Sequence, residues 1–350
     1  MAKKKKVGII LLSSFLTLAL VCFLAVYFLF LHHYRGSQID NPWREEDDFS
    51  ISSIATVEKR EGEPFVILNL ADVQLCDLED LFHLNKTKEK ITDLLERAHP
   101  DLITLTGDQT WSNENLISLK SLLYWLDSFE IPYAPVFGNH DCGNEKDSAV
   151  LSRAACCDLY EAGKYSLFDR GPSNLGSLGN YVVNVTENGK IVKTLYFLDS
   201  GEEERISDEQ ISWMKWHAEG VKATQGGEAV AGICFFHLPL PEYREAYLRY
   251  LAGDASVEAL GEVYVTYSLS GSEQNGFFEA AKEVGVTDIV CGHQHGNCFT
   301  LKYDGVRLTF SLKTGKLGGT YESEEFALDG ATCISFDGDS TKIEPIFSEK

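Results

Sequence analysis

The sequence predicts an α/β protein, and three observations predict it. From residue 65 onwards, apolar runs of strand length alternate with amphipathic stretches of helix length. Side chains able to hold a metal stand directly after several of those runs, where the strand ends of one sheet converge. Near the carboxyl end, Asp-Gly pairs, which suit tight hairpins, interrupt the apolar pattern.

The elements follow in chain order. Phe65–Leu70 reads as a buried strand, Lys86–Ala98 as a helix and Leu102–Thr106 as a strand. Leu116–Phe129 reads as a helix and Tyr133–Phe137 as a strand. This β-α-β-α-β order implies parallel strands with helices on the sheet faces, because strands running the same way need a crossover. Later strands are expected at Tyr181–Val185, Thr194–Asp199, Gly232–Phe236 and Asp288–Cys291. Tyr303–Leu312 and Ala331–Phe336, with Asp304-Gly305 and Asp337-Gly338, read as closing antiparallel strands. Together these give a two-layered sheet core wrapped by helices.

Composition bounds the function. A chain of 350 residues, 44% hydrophobic and 24% charged, holds one large catalytic domain or two modest ones. The formal charge of -22 is unevenly spread: the first 35 residues hold five basic groups and no acid, leaving 26 basic against 53 acidic residues, or -27, in the rest. So acidic a surface repels phosphate backbones, which argues against nucleic-acid binding. It remains compatible with phosphate chemistry where bound cations reverse the local field.

Val7–Phe30 is 24 residues without a charge, preceded by Lys3 to Lys6. At about 1.5 Å per residue, a helix of that length crosses a hydrocarbon core roughly 30 Å thick. The basic side stays cytoplasmic. The expected order is a cytoplasmic tail (1–6), a transmembrane signal-anchor (7–30), a polar juxtamembrane linker (31–61) and an extracellular catalytic domain (62–350). Secretion after signal cleavage is the alternative. The nine cysteines contain no C-x-x-C pair, which speaks against a structural zinc site. Cys291 and Cys298 are a conceivable disulfide.

The chemistry is carried by residues after the strands. Asp72 follows FVILNLA, Asp108 follows LITLTG, and Asn139, His140 and Asp141 follow APVFG. His237 follows GICFF, and His293 and His295 follow DIVCG. One histidine after a strand is usually structural, but five such placements in one sheet protein can share a site. Imidazoles, carboxylates and an amide oxygen suit Mn, Zn or Fe rather than a thiolate or all-oxygen site.

Asp72-x-Gln74, Gly107-Asp108, Gly138-Asn139-His140-Asp141, His237 and Gly292-His293-x-His295 together resemble the ordered motifs of calcineurin-like metallophosphoesterases. SLFDRGPSNLGSLGNYVV, LYFLDSGE and FFHLPLPEY are similar to the purple-acid-phosphatase-like branch. The likeness covers roughly residues 63–347. It implies a four-layer α/β/β/α sandwich with mixed sheets and a phosphatase or phosphodiesterase using two divalent or trivalent metal ions. It further implies one metal on Asp72 and His295, with Asp108 bridging to a second on Asn139, His237 and His293. Metal-bound hydroxide would attack phosphorus in line, and His140 would face the substrate and protonate the leaving oxygen. Asn139 and His140 would bind the phosphate ester, and Asp141 would orient His140 or cap its turn.

Two positions depart from the family pattern. Gln74 stands where a second histidine is usual, and its amide either coordinates or hydrogen-bonds beside the site. Trp111 stands where the purple enzymes carry a tyrosine, so no iron-tyrosinate colour is expected. Because of Gln74, the alternative to a hydrolase is an impaired or non-catalytic surface-anchored binding protein that retains the fold.

Overall fold

The computed structural model describes the chain apart from residues 1, 29–31, 33, 76, 112–114, 143–149, 202–204, 267–268, 270–275, 316–328, 339 and 349–350, and apart from the side chains of 2–9 and 77–86. Its first sheet is built from β2 (Phe65–Leu70), β3 (Leu102–Thr106), β4 (Tyr133–Val136), β13 (Gly330–Asp337) and β14 (Ser340–Phe347), in the order β14-β13-β2-β3-β4. The middle strands β2, β3 and β4 run parallel, and β13 closes antiparallel on β2. All five residues of β3 are buried, as expected for a strand covered on both faces. The helices α2 (Asp77–Ala98) and α3 (Leu116–Asp127) follow β2 and β3 and bury Ile91, Leu94, Leu119 and Leu122 in the core.

The second sheet holds β1 (Ala55–Glu58), β5 (Tyr181–Glu187), β6 (Lys190–Phe197), β7 (Gly232–Phe235), β8 (Val257–Ala259), β10 (Val286–Cys291), β11 (Asn297–Tyr303) and β12 (Val306–Phe310). Their order is β1-β5-β6-β7-β10-β12-β11-β8, and the short β9 (Tyr264–Val265) pairs with β11. The strands β6, β7, β10 and β12 are parallel neighbours. Alternate residues on these strands face opposite ways, and the two hydrophobic clusters sort accordingly. Val183, Leu195, Phe197, Ile233 and Phe235 join the core shared with the first sheet. Tyr196, Cys234 and Phe236 join a second core with α5 (Asp208–Thr224), α6 (Pro241–Leu251) and α7 (Phe277–Glu283). The result is a four-layer α/β/β/α sandwich. Its central layer is filled partly by stacked rings, Tyr181 on Phe197 at 4.7 Å and Phe197 on Phe235 at 5.1 Å.

Several expectations shift. The run 303–312 is not one strand: Asp304-Gly305 turns the chain between β11 and β12, which pair antiparallel. The pair Cys291 and Cys298 is unlinked, and both thiols are free and buried. They stand on β10 and β11, with β12 between these strands, so two ladder spacings of about 4.8 Å separate them.

The amino-terminal run is helical as α1 (Ala2–Val26), and its described apolar side chains from Ile10 to Phe28 are exposed. Among the described residues, no helix is long and apolar enough to cross a membrane. The spanning helix expected over 7–30 is therefore not found; the side chains of 7–9 and residues 29–30 fall outside the described set.

The segment read as a linker (31–61) is laid on the domain. Tyr34 brackets residues 150–152 through Tyr34 N to Val150 O (2.7 Å) and Ser152 N to Tyr34 O (2.9 Å). Arg170 donates to the Ser37 carbonyl while its other nitrogens grip Asp158 and Glu161. Trp43 packs edge-on to Trp216, Phe49 packs against Trp216 and His217, and β1 adds an edge strand parallel to β5. These residues looked like linker because their packing partners lie more than a hundred positions away, so they show no local periodicity.

Candidate active site

Each candidate ligand leaves a strand at the same edge of the sandwich, and the backbone there is unusual. Asp72, Gln74, Asp108 and His293 have φ between 51° and 76°, and they are four of the eight described non-glycine residues at positive φ. Side chains tolerate that left-handed region poorly, and it concentrates where geometry must aim a functional group. Glycine supplies the remaining room. A Cβ on Gly107 would run into the His237 ring, and one on Gly138 would run into the Asp108 carboxylate. The small residue before each of Asp108 and Asn139 is therefore set by close approach.

The side chains form two groups around one shared carboxylate. Asp108, His237 and His293 offer ligand atoms within 4.8 Å of one another, and so do Asp72, Asp108 and His295. Asn139 belongs with the first group, its Oδ1 lying 3.0 Å from His237 Nε2 and 3.1 Å from His293 Nδ1. Gln74 belongs with the second, its amide nitrogen 2.9 Å from His295 Nε2. That nitrogen and Oε1 are exchangeable by a flip of the amide, and Oε1 is buried with no partner. His237 is held by its Nδ1–H, which donates to the Thr106 carbonyl at 2.8 Å. This hydrogen bond fixes the tautomer that leaves Nε2 free to ligate. The donor set thus fits two cations, one on Asp72, Asp108, His295 and the Gln74 amide, the other on Asp108, Asn139, His237 and His293.

The electrostatics agree with that donor set. Burial alone would depress His237, but the Asp108 carboxylate 3.3 Å away, with Asp72 behind it, draws it up to about 10. Burial would likewise raise Asp108, yet His237 holds it at about 2. Burial and then the His237 charge lower His293 to about 4. Deep in the site, a single positive charge between carboxylates is thus strongly favoured, and a cation satisfies the same field.

His140 stands at the rim. Its backbone N–H donates to Asp108 Oδ1 at 2.9 Å, its ring is partly exposed, and the Trp111 ring lies over it at 4.1 Å between centroids. Trp111 is 38% exposed, so its ring walls the mouth of the site rather than packing in the core. Asp141 is buried beneath this rim. Its Oδ1 accepts from Thr110 N at 2.9 Å and its Oδ2 from Gly138 N at 2.8 Å. Its backbone carbonyl accepts the Asn115 side chain. These are turn-capping contacts. Sequence reasoning missed Thr106, whose contribution is a backbone carbonyl and leaves no side-chain signal, and Asn115, which lacks a motif.

Comparison with known proteins places these observations. A model of the calcineurin-like phosphoesterase family matches residues 65–297. A Saccharomyces cerevisiae protein named Phosphatase DCR2 is 26% identical over 74% of this chain and 46% of its own length. The chain thus spans about half of that relative. An Arabidopsis thaliana protein named Probable inactive purple acid phosphatase 28 is 24% identical over 77% of this chain and 71% of its own length. A dimetal phosphatase from Danio rerio superposes with a TM-score of 0.49 at 13% identity, covering 82% of this chain and 97% of that one.

Proposed function

Because the chain belongs to the calcineurin-like phosphoesterase family, we propose that it is a metal-dependent phosphoric ester hydrolase, with Asp108 joining two metal sites. The single observation that carries this reading is that Asp108 is common to both ligand groups. Bound ions of the Mn, Zn or Fe type would supply Lewis-acid charge to the phosphoryl oxygens and lower the pKa of water.

The rest is done by the chain itself. Asp72, Asp108, Asn139, Gln74 and the histidines 237, 293 and 295 hold the cations. The Asn139 amide and the His140 ring, both open to solvent, receive the phosphate ester. An imidazole N–H of His140 donates to the leaving oxygen as the ester bond breaks. Asp141 fixes the turn that presents both residues, because its carboxylate ties Gly138 to Thr110. The natural ester, monoester or diester, is a property of the pocket beyond these residues.

A second reading is favoured by one residue and one set of names. Gln74 gives the Asp72 side a neutral ligand, and two Arabidopsis thaliana relatives carry the words "probable inactive". A binding protein that keeps the fold would retain one metal and turn nothing over. Metal content measured together with hydrolysis of paired mono- and diester chromogenic substrates separates the two readings. Two metals per chain, turnover of either ester and loss of turnover in Asp108→Asn are expected. One metal with no turnover under Mn, Zn or Fe would establish the binding protein instead.

A further inference from the structure

Three buried thiols lie directly behind the loop that presents Asn139 and His140. Cys142 follows that loop, and Cys156 and Cys157 are consecutive on α4 (Arg153–Glu161). All three are free and belong to the central core. Consecutive helical residues point about 100° apart, so only one of the pair on α4 can face Cys142 squarely. Geometry picks out Cys156: its Sγ lies 3.9 Å from the carbonyl of Asp141, the residue that immediately precedes Cys142. Cys157, one residue on, lies near Cys142 too and also faces Arg170 and Glu161, so the test must tell the two apart. The metal-holding groups found among the described residues both lie at the active site and include no cysteine.

We propose that Cys142 and Cys156 are a redox pair whose disulfide staples the loop carrying Asn139 and His140 to α4. The oxidant would be a small-molecule disulfide such as glutathione disulfide. One protein thiolate attacks it, forming a mixed disulfide and expelling one glutathione thiolate. The second protein thiolate then attacks the protein sulfur and expels the other. Two thiols are oxidised, one disulfide is reduced, and the two thiol protons end on the released glutathiones. Arg153 stands beside this cluster; its charge favours the thiolate of Cys142, against the burial that opposes it. Because burial also slows access, exchange proceeds through local opening of the loop. The bond formed is thus expected to resist reduction more than an exposed pair would.

The test equilibrates the full chain with a graded series of reduced and oxidised glutathione, with a parallel arm in sub-denaturing urea to speed opening. Samples are acid-quenched, alkylated and mapped by mass spectrometry without reduction. The expected product is a cross-linked peptide pair containing Cys142 and Cys156, lighter by two hydrogens. It should appear in the wild type and in Cys157→Ser, and be absent from Cys156→Ser. Slower amide exchange over 139–141 in the oxidised form is the expected consequence. Full alkylation of both cysteines in both arms, or a dominant link between Cys142 and Cys157, would overturn the proposal. None of these readouts depends on hydrolysis, so they stand or fall apart from the proposed activity.

Discussion

Gln74 is the residue at which the site is most open to change. It sits at φ 52°, and its side chain ends 2.9 Å from His295 Nε2. Histidine is among the residues that tolerate positive φ, so Gln74→His can be accommodated and adds an imidazole to the Asp72 side. The expected outcome is metal binding tighter by about tenfold or more at that site, read by competition with a chelator. An unchanged chelator profile would mean that the Gln74 amide already ligates as strongly or that the new ring points elsewhere. Gly138→Ala acts in the opposite direction. Its Cβ would press on the Asp108 carboxylate, and a displaced shared ligand weakens both sites. A loss of about 10- to 100-fold in metal affinity is expected, with the fold retained by circular dichroism. At this scale the sequence was highly legible, because a strand followed by Gly-Asp or Gly-Asn-His states both the ligand and the room it needs. Asp141 was ambiguous because a carboxylate that orients a histidine and one that caps a turn look alike in one dimension.

Among the elements, the buried strands of the β-α-β units were readable, while the edge strands and the later helices were not. The strands β2, β3, β4, β7 and β10 are largely apolar and buried, and their parallel order follows from the helices between them. The strands β1, β8 and β9 are short pieces of two to four residues, and none is fully buried. They exist only because a neighbouring strand offers its edge, which no local pattern records. Helix α5 shows how an element can hide a property. Its His217 sits among Phe49, Trp213 and Trp216, with Nδ1 unpartnered, and burial lowers it from 6.5 to about 3. The native state therefore keeps the ring neutral where an unfolded chain would take a proton. That term is fully stabilising above the unfolded value and is lost as pH falls from about 6.5 towards 3. The expected slope is about 1.4 kcal/mol per pH unit in that window. His217→Phe keeps a ring in the box and cannot titrate, so urea unfolding of the variant should fall less steeply between about pH 7 and pH 5 than the wild type. Equal slopes would place the acid sensitivity elsewhere.

For the whole molecule, the folded unit begins earlier than its motifs suggest. A boundary near residue 62 is where apolar periodicity starts, yet the preceding segment is fastened along its length. Tyr34 is bonded to 150–152, Ser37 to Asp158 and Arg170, Trp43 to Asn174, and Thr56 and Val57 are paired to β5. Trp43 and Phe49 cover Trp216 and His217 on the far face of the second sheet. Fully burying one large apolar side chain is worth about 1.5–3 kcal/mol, and these two are half-buried. Removing them together with an edge strand should therefore cost about 3 kcal/mol or more. A chain starting at residue 34 and one starting at residue 62 are the comparison. The shorter form should unfold at lower urea, with Trp216 fluorescence shifted towards that of an exposed indole. It should also lose the protection of β5 amides from exchange, since Lys59 N to Thr186 O (2.7 Å) and the β1 ladder close that edge. The metal ligands lie at the strand ends between the sheets, remote from the edge that is removed, so metal content should survive the truncation. If both forms share one urea midpoint, the segment is a passive tether lying on the surface; if metal is lost along with stability, the segment supports the sandwich as a single cooperative unit.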